Sequence, residues 1–368
     1  MKNFYISKSR RVRSTPFTSR IEKQGVKNYT VYNHMLLPTT FSSVEEEYIH
    51  LKKDVQVWDV SVQREVEISG VDAHKLVQLM TCRDLSKSKI GNCYYVPLVD
   101  SNGGMINDPL IYKLKDDLWR VCIADSDVLL FAKGIAAGKN LKVNIFEANI
   151  DTLAIQGPKS FKLMEEVFGT EINNLKFFKY DFFTFKDNKY LISRTGFSKQ
   201  GGYEVHIEDI KSGQALYDHF FNIGKKYNLK PGAPNHAERI EGGLLSYGND
   251  MLINDNPFEC GFEKYIHLDT DVDFLGKENL KKIKIKGIEK KLMGVKIETN
   301  KLNLTDVNLL NKNNEIIGDL RSAAYSPDFK KIVGIAMVKK DYFNNKENFK
   351  MVINGKSIDG EICELPIT

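Results

Sequence analysis

Two carboxylates in this sequence stand beside glycine turns, and their types and spacing could do chemistry. Glu204 closes the stretch Arg194-Thr195-Gly196-Phe197-Ser198-Lys199-Gln200-Gly201-Gly202-Tyr203-Glu204. Asp108 follows Asp100-Ser101-Asn102-Gly103-Gly104, with Tyr95 on the opposite arm. Glycine accepts positive φ and lets a backbone or a ligand come close. A carboxylate at such a turn can accept paired hydrogen bonds or take a proton. On spacing alone, an ordinary surface hairpin with a solvated glutamate is the simpler reading of the first stretch. A turn-closing aspartate accounts equally well for the second.

The elements that must position these groups are strands. Lys189 to Ser193 reads as a strand entering the first turn, and Tyr203, Val205 and Ile207 alternate with polar residues leaving it. Asp100 to Gly104 is a strong hairpin signal. Tyr29 to Phe41 reads as one strand followed by a loop stopped at Pro38. Ser42 or Ser43 can cap a helix whose first turn carries Glu45, Glu46 and Glu47. Helices are expected over 73–80, 127–137 and 210–227, and strands over 118–123 and 143–146. Residues 281–290 read as a linker. Beyond it, short strands at 292–297, 315–320, 332–338 and 349–353 spell a small all-β domain.

Composition bounds the class. The chain has 368 residues, enough for two or three domains, with 42% apolar and 27% charged residues, as in ordinary globular proteins. The net charge of +5 is mild, so no nucleic-acid partner is expected, and the lysine run at 281–286 reads as a solvated face. No apolar run is long enough to span a bilayer and no targeting segment is visible, so no membrane partner is expected. Five scattered cysteines, without a CxxC pair, argue against a disulfide framework and a zinc site and fit a cytoplasmic setting.

Arg-Thr-Gly-aromatic followed by Gly-Tyr-Glu resembles the signature of the glycine-cleavage T-protein family of folate-dependent enzymes. Tyr95, the Gly103-Gly104 turn and Asn107-Asp108-Pro109 resemble its second signature. Leu153-Ala154-Ile155-Gln156-Gly157-Pro158, Arg239-Ile240-Glu241-Gly242-Gly243 and Gly334 to Val338 match further landmarks in the same order, so the resemblance spans almost the whole chain. It implies an α+β fold of three domains arranged as a cloverleaf. Two are mixed α/β subdomains with antiparallel sheets, about 1–56 with 149–253 and 57–148 with 254–280. Together they form a folate-binding catalytic region over 1–280, and residues 281–368 form a C-terminal β-barrel.

It also implies tetrahydrofolate as cofactor, with Glu204 on the pterin ring and Asp108 by the reacting end. Phe197 stands where the family usually has a tyrosine against the folate, and Tyr95, Arg194 and Tyr203 would complete the cofactor site.

Departures narrow the expectation. Lys199-Gln200-Gly201 replaces Gly-Glu-Asp, Asn235 replaces an arginine, and Val62-Gln63-Arg64 replaces His-Met-Gly. These changes put aminomethyl transfer from a lipoyl carrier in doubt. The basic opening over 7–17, the Tyr32 to Pro38 segment and the Asn-Asp-Pro turn resemble a branch that moves a methyl group from a small sulfonium compound to N5 of tetrahydrofolate. Such a cation suits aromatic faces. Tyr32 and Trp58 are candidates beside Tyr95 and Phe197, although core packing is the simpler reading of each taken singly. Arg64, Arg194 and Lys199 are the cations open to the donor's carboxylate. No metal or flavin is expected, and a monomer or homodimer would suffice.

Two alternatives stand. One is an aminomethyltransferase or N-methyl demethylase of the same family. The other is a non-enzymatic folate-binding protein of iron–sulfur assembly, whose Lys-Gly-Cys signature does not occur in this chain.

Overall fold

Three sheets carry the molecule in the computed structural model, which describes residues 6, 9–301, 309–344, 346–353 and 355–368. Ser7 and Lys8 of the basic opening lie outside the described residues. A six-stranded sheet runs in the order Tyr180–Phe185, Asn188–Ser193, Gly202–Ile207, Asp151–Gln156, Val55–Asp59, Leu229–Gly232. All its pairs are antiparallel except the last. Helices Ser160–Phe168 and Ile210–Ile223 bury Leu163, Met164, Leu216 and Phe220 in the core shared with this sheet. Asp209 starts the second helix by accepting from Ser212 N–H at 2.7 Å.

The five-stranded antiparallel sheet runs Asn144–Ala148, Glu65–Ser69, Leu118–Cys122, Leu110–Lys115, Cys93–Tyr95. Helices Ala73–Met80 and Val128–Gly138 share its core, around Trp119, Leu76 and Ala132. The C-terminal strands close a six-stranded barrel in the order Lys290–Ile297, Lys331–Lys339, Glu315–Ser326, Leu309–Lys312, Asn348–Ile353, Lys356–Cys363. The α+β architecture with antiparallel sheets and a C-terminal barrel is the one the sequence leads one to expect.

Three local expectations are corrected. Residues 28–40 form two paired strands, Asn28–Tyr32 and Met35–Thr40, turning at Asn33 and His34 with φ of 49° and 61°. Pro38 sits inside the second strand, opposite Tyr29. A two-stranded ribbon leaves one edge free, so the missing N–H breaks no ladder there. The lysine run belongs to the helix Lys277–Lys286, which buries Leu280. The predicted helix over 210–227 is α-helical to Ile223 and ends in a 3-10 turn, Gly224–Tyr227.

Candidate active site

Glu204 lies on an interior strand, opposite Ala154 on one side and Ser193 on the other. With both edges paired and both faces covered, its side chain is only 4% exposed. Burial pushes its carboxyl above the ordinary range, and the Thr195 hydroxyl partly offsets this by donating to Oε2. Because that proton is committed to Glu204, Ser193 donates to Thr195 at 2.6 Å and Tyr112 to Ser193 at 3.2 Å. Tyr112 belongs to the other sheet, so this chain of hydroxyls joins the two subdomains behind the carboxylate.

Gly202, at φ +153°, permits the entry to the strand, because a Cβ there would lie 2.2 Å from the Ile155 carbonyl oxygen. Gln156 fastens the turn, donating to the Thr195 carbonyl at 3.2 Å and accepting from the Ser198 hydroxyl at 2.8 Å.

Asp108 is 7% exposed. Its Oδ2 accepts from the Tyr95 hydroxyl at 2.7 Å and its Oδ1 from the Tyr247 N–H at 3.2 Å. Burial raises its pKa to about 7, even though both donors act to lower it. Asn107 points the other way and ties the strand to Ala124 and Ser126 with bonds of 2.8 to 3.1 Å. Tyr95 is fixed by edge-on contacts with Phe262 and Tyr265, at 5.6 and 5.7 Å between ring centroids.

Both carboxyls line one cavity of about 1090 Å³. Tyr32, Tyr95, Phe197 and Lys199 line it too, so six of the ten residues singled out in the sequence meet there. Tyr32 reaches it from the hairpin, where burial and then Asp108 hold its hydroxyl proton on.

The structure places the other four away from the cavity. Trp58 is fully buried behind Phe197, its indole N–H donating to Gln56 at 2.8 Å. Tyr203 is 1% exposed in the helix-facing core of the six-stranded sheet. Arg64 is paired with Glu147, which also holds Arg13. Arg194 donates to the Leu175 carbonyl at 3.1 Å and lies over the Phe161 ring at 5.1 Å. None of the four lines the cavity. Tyr247, Phe262 and Tyr265 do, and sequence reasoning missed them. Their segment has no periodicity to read, and the one signal was its density of aromatics and glycines.

All five cysteines are buried and free. Among the described residues no helix is long and apolar enough to cross a membrane, and no cluster of His, Cys, Asp and Glu could hold a metal ion.

A family model described as the GCVT N-terminal domain matches residues 17–270, and one described as the glycine cleavage T-protein C-terminal barrel domain matches 290–368. The chain is 41% identical over 335 residues to dimethylsulfoniopropionate demethylase DmdA of Ruegeria pomeroyi, covering 91% of this chain and 92% of that protein. It is 28% identical over 333 residues to an aminomethyltransferase of Thermoanaerobacter pseudethanolicus, covering 88% of each. The crystal structure of glycine cleavage system aminomethyltransferase T from Bartonella henselae shares the fold, with a TM-score of 0.87 at 20% identity over 97% of this chain and 98% of that one.

Proposed function

The chain belongs to the glycine cleavage T-protein family, and from that premise we propose that it is a tetrahydrofolate-dependent methyltransferase that demethylates dimethylsulfoniopropionate. The products are 3-(methylthio)propionate and 5-methyltetrahydrofolate. The observation that carries the choice of donor is the 41% identity to a dimethylsulfoniopropionate demethylase, against 28% to an aminomethyltransferase over a similar span. The reaction uses small molecules in a cytoplasmic setting, by a monomer or homodimer.

The residues fit the folate. Glu204 Oε2 is occupied by Thr195, while Oε1 accepts no hydrogen bond among the described residues and belongs to a cavity-lining side chain. The carboxylate, with Oε1 open and a lone pair left on Oε2 beside Thr195, suits the 2-amino group and ring N–H of a pterin, which donate side by side. When bound, tetrahydrofolate would supply a secondary amine, N5, as the methyl acceptor, with the C–S electron pair leaving on a neutral thioether. Asp108 then receives the N5 proton, a role suited to an acid whose pKa lies near 7. Phe197 and Tyr32 flank the cavity, and Tyr95 holds Asp108 in place. Aromatic faces around a sulfonium contribute on the order of 0.5 to 2 kcal/mol each. Holding both partners at attack distance supplies roughly 7 to 11 kcal/mol of the barrier.

Incubating the protein with tetrahydrofolate and, separately, dimethylsulfoniopropionate, dimethylglycine and sarcosine tests the reading. Turnover is expected with the sulfonium. Turnover only with an N-methyl donor would replace this reading by the N-demethylase alternative.

A further inference from the structure

The donor's carboxylate needs a counter-charge inside the cavity, and the structure separates the cations. Arg64 and Arg194 lie outside the wall. Arg239 lines it but is held by Asp250 at 2.5 Å and by the Ser322 hydroxyl at 2.8 Å. His236 lines it uncharged, its pKa pushed down to about 3 by burial and by Arg239. Lys264 and Lys291 also line it, with no hydrogen bond or ion pair to either ammonium among the described residues, and the Lys264 ammonium lies over the Tyr265 ring at 4.8 Å.

Lys199 is set apart from these two by the way its chain is placed. Its backbone N–H is fixed by Glu238 at 2.8 Å, while its ammonium has no hydrogen bond or ion pair among the described residues. Its chain lies along Gly242, where an added Cβ would come 2.6 Å from Lys199 Cγ and 3.1 Å from Cε. Gly242 has φ −71° and ψ −6°, a conformation open to any residue, so the backbone does not call for glycine there. The missing side chain leaves the path that the lysine occupies. Residues Gly242 to Tyr247 continue along the cavity wall, and the Tyr247 N–H holds Asp108. Five residues span at most roughly 18 Å, so one short stretch of wall links the lysine chain to the residue that holds the Asp108 carboxyl.

We propose that Lys199, laid across Gly242, binds the carboxylate of the methyl donor and so determines specificity for sulfonium acids. The inference rests on the sulfonium-donor reading. The sulfonium sits among Tyr95, Tyr247 and Phe262 beside Asp108, and the acid end extends to the lysine.

The test measures KM for dimethylsulfoniopropionate, Kd for tetrahydrofolate, and Ki for trimethylsulfonium, a competitor with the cation but no carboxylate. Lys199→Gln is expected to raise the donor KM about tenfold or more, the scale of a lost charge-assisted hydrogen bond. Folate Kd and trimethylsulfonium Ki stay as in wild type, and Lys199→Arg recovers part of the loss. Gly242→Ala, which crowds the lysine chain, raises the same KM. An unchanged donor KM overturns the proposal. So does an equal rise in trimethylsulfonium Ki, a loss confined to folate binding, or an effect from Lys291→Gln in place of Lys199→Gln. If wild-type protein takes no methyl from dimethylsulfoniopropionate, the sulfonium reading itself falls. If wild type transfers methyl and Lys199→Gln matches it, only the role of Lys199 falls.

Discussion

The Tyr95 hydroxyl donates a 2.7 Å hydrogen bond to Asp108 Oδ2 inside the cavity that Glu204 also lines. Tyr95 ends the strand Cys93–Tyr95, and Asp108 directly follows Met105–Asn107, on the other side of the Gly103-Gly104 turn. Their contact holds the aspartate buried in the cavity wall, where a turn-closing residue would be solvated.

Asp108→Asn keeps one acceptor oxygen for the Tyr247 N–H and sets an amide NH2 against the Tyr95 hydroxyl oxygen, and it cannot take a proton. Interactions that strengthen toward the transition state act on kcat. Turnover is expected to fall about 10²- to 10⁴-fold, with tetrahydrofolate affinity near normal. Single-turnover methyl transfer and calorimetric folate binding on one preparation check this. Normal transfer by the folded variant would remove Asp108 from the chemistry.

The same carboxyl predicts a pH dependence. Its folded pKa, about 7, lies above the ordinary 3.8, so over that window the folded state holds a proton that the unfolded state has lost. Its contribution to stability therefore falls as pH rises from about 4 to about 7. Replacement by Asn removes that slope, so at pH 8 the variant is expected to melt no lower than wild type. A turn-closing role predicts a lower melting temperature instead. The catalytic rate follows the ionised form and rises through about pH 7.

Tyr95→Phe removes a donor that lowers the Asp108 pKa. The midpoint of the pH–rate profile is expected to move upward, with an intact plateau above it. A midpoint that stays or moves down would dissociate Tyr95 from the titration.

Glu204→Gln retains shape and loses charge. Its loss of a charge-assisted bond to the pterin is expected to weaken tetrahydrofolate binding by roughly 1.5 to 3 kcal/mol. An isothermal titration with unchanged affinity would take Glu204 out of the folate site.

That both carboxyls stand beside glycine turns was legible because the signal is local, with alternation along the strand added at Glu204. The residues that lie away from the cavity were hidden for two different reasons. Trp58 and Tyr203 sit on interior strands, where both faces are buried and alternation cannot say which face meets a cavity. Arg64 and Arg194 are spoken for by Glu147 and the Leu175 carbonyl, partners 83 and 19 residues away in sequence. Tyr247, Phe262 and Tyr265 come from irregular chain, where no period marks the inward side. The barrel was readable from its turns, but Leu309–Lys312 and Lys356–Cys363 were not picked out as strands. The lysine helix was hidden by its charge, since a single buried Leu280 anchors it.

The most direct measurement of the central claim is a single turnover with dimethylsulfoniopropionate carrying trideuterated S-methyl groups and unlabelled tetrahydrofolate, followed by mass spectrometry of the folate. The account predicts 5-methyltetrahydrofolate with all three deuterons and one equivalent of 3-(methylthio)propionate. A methylene-bridged folate that has lost deuterium, or an unlabelled folate beside intact donor, would contradict it.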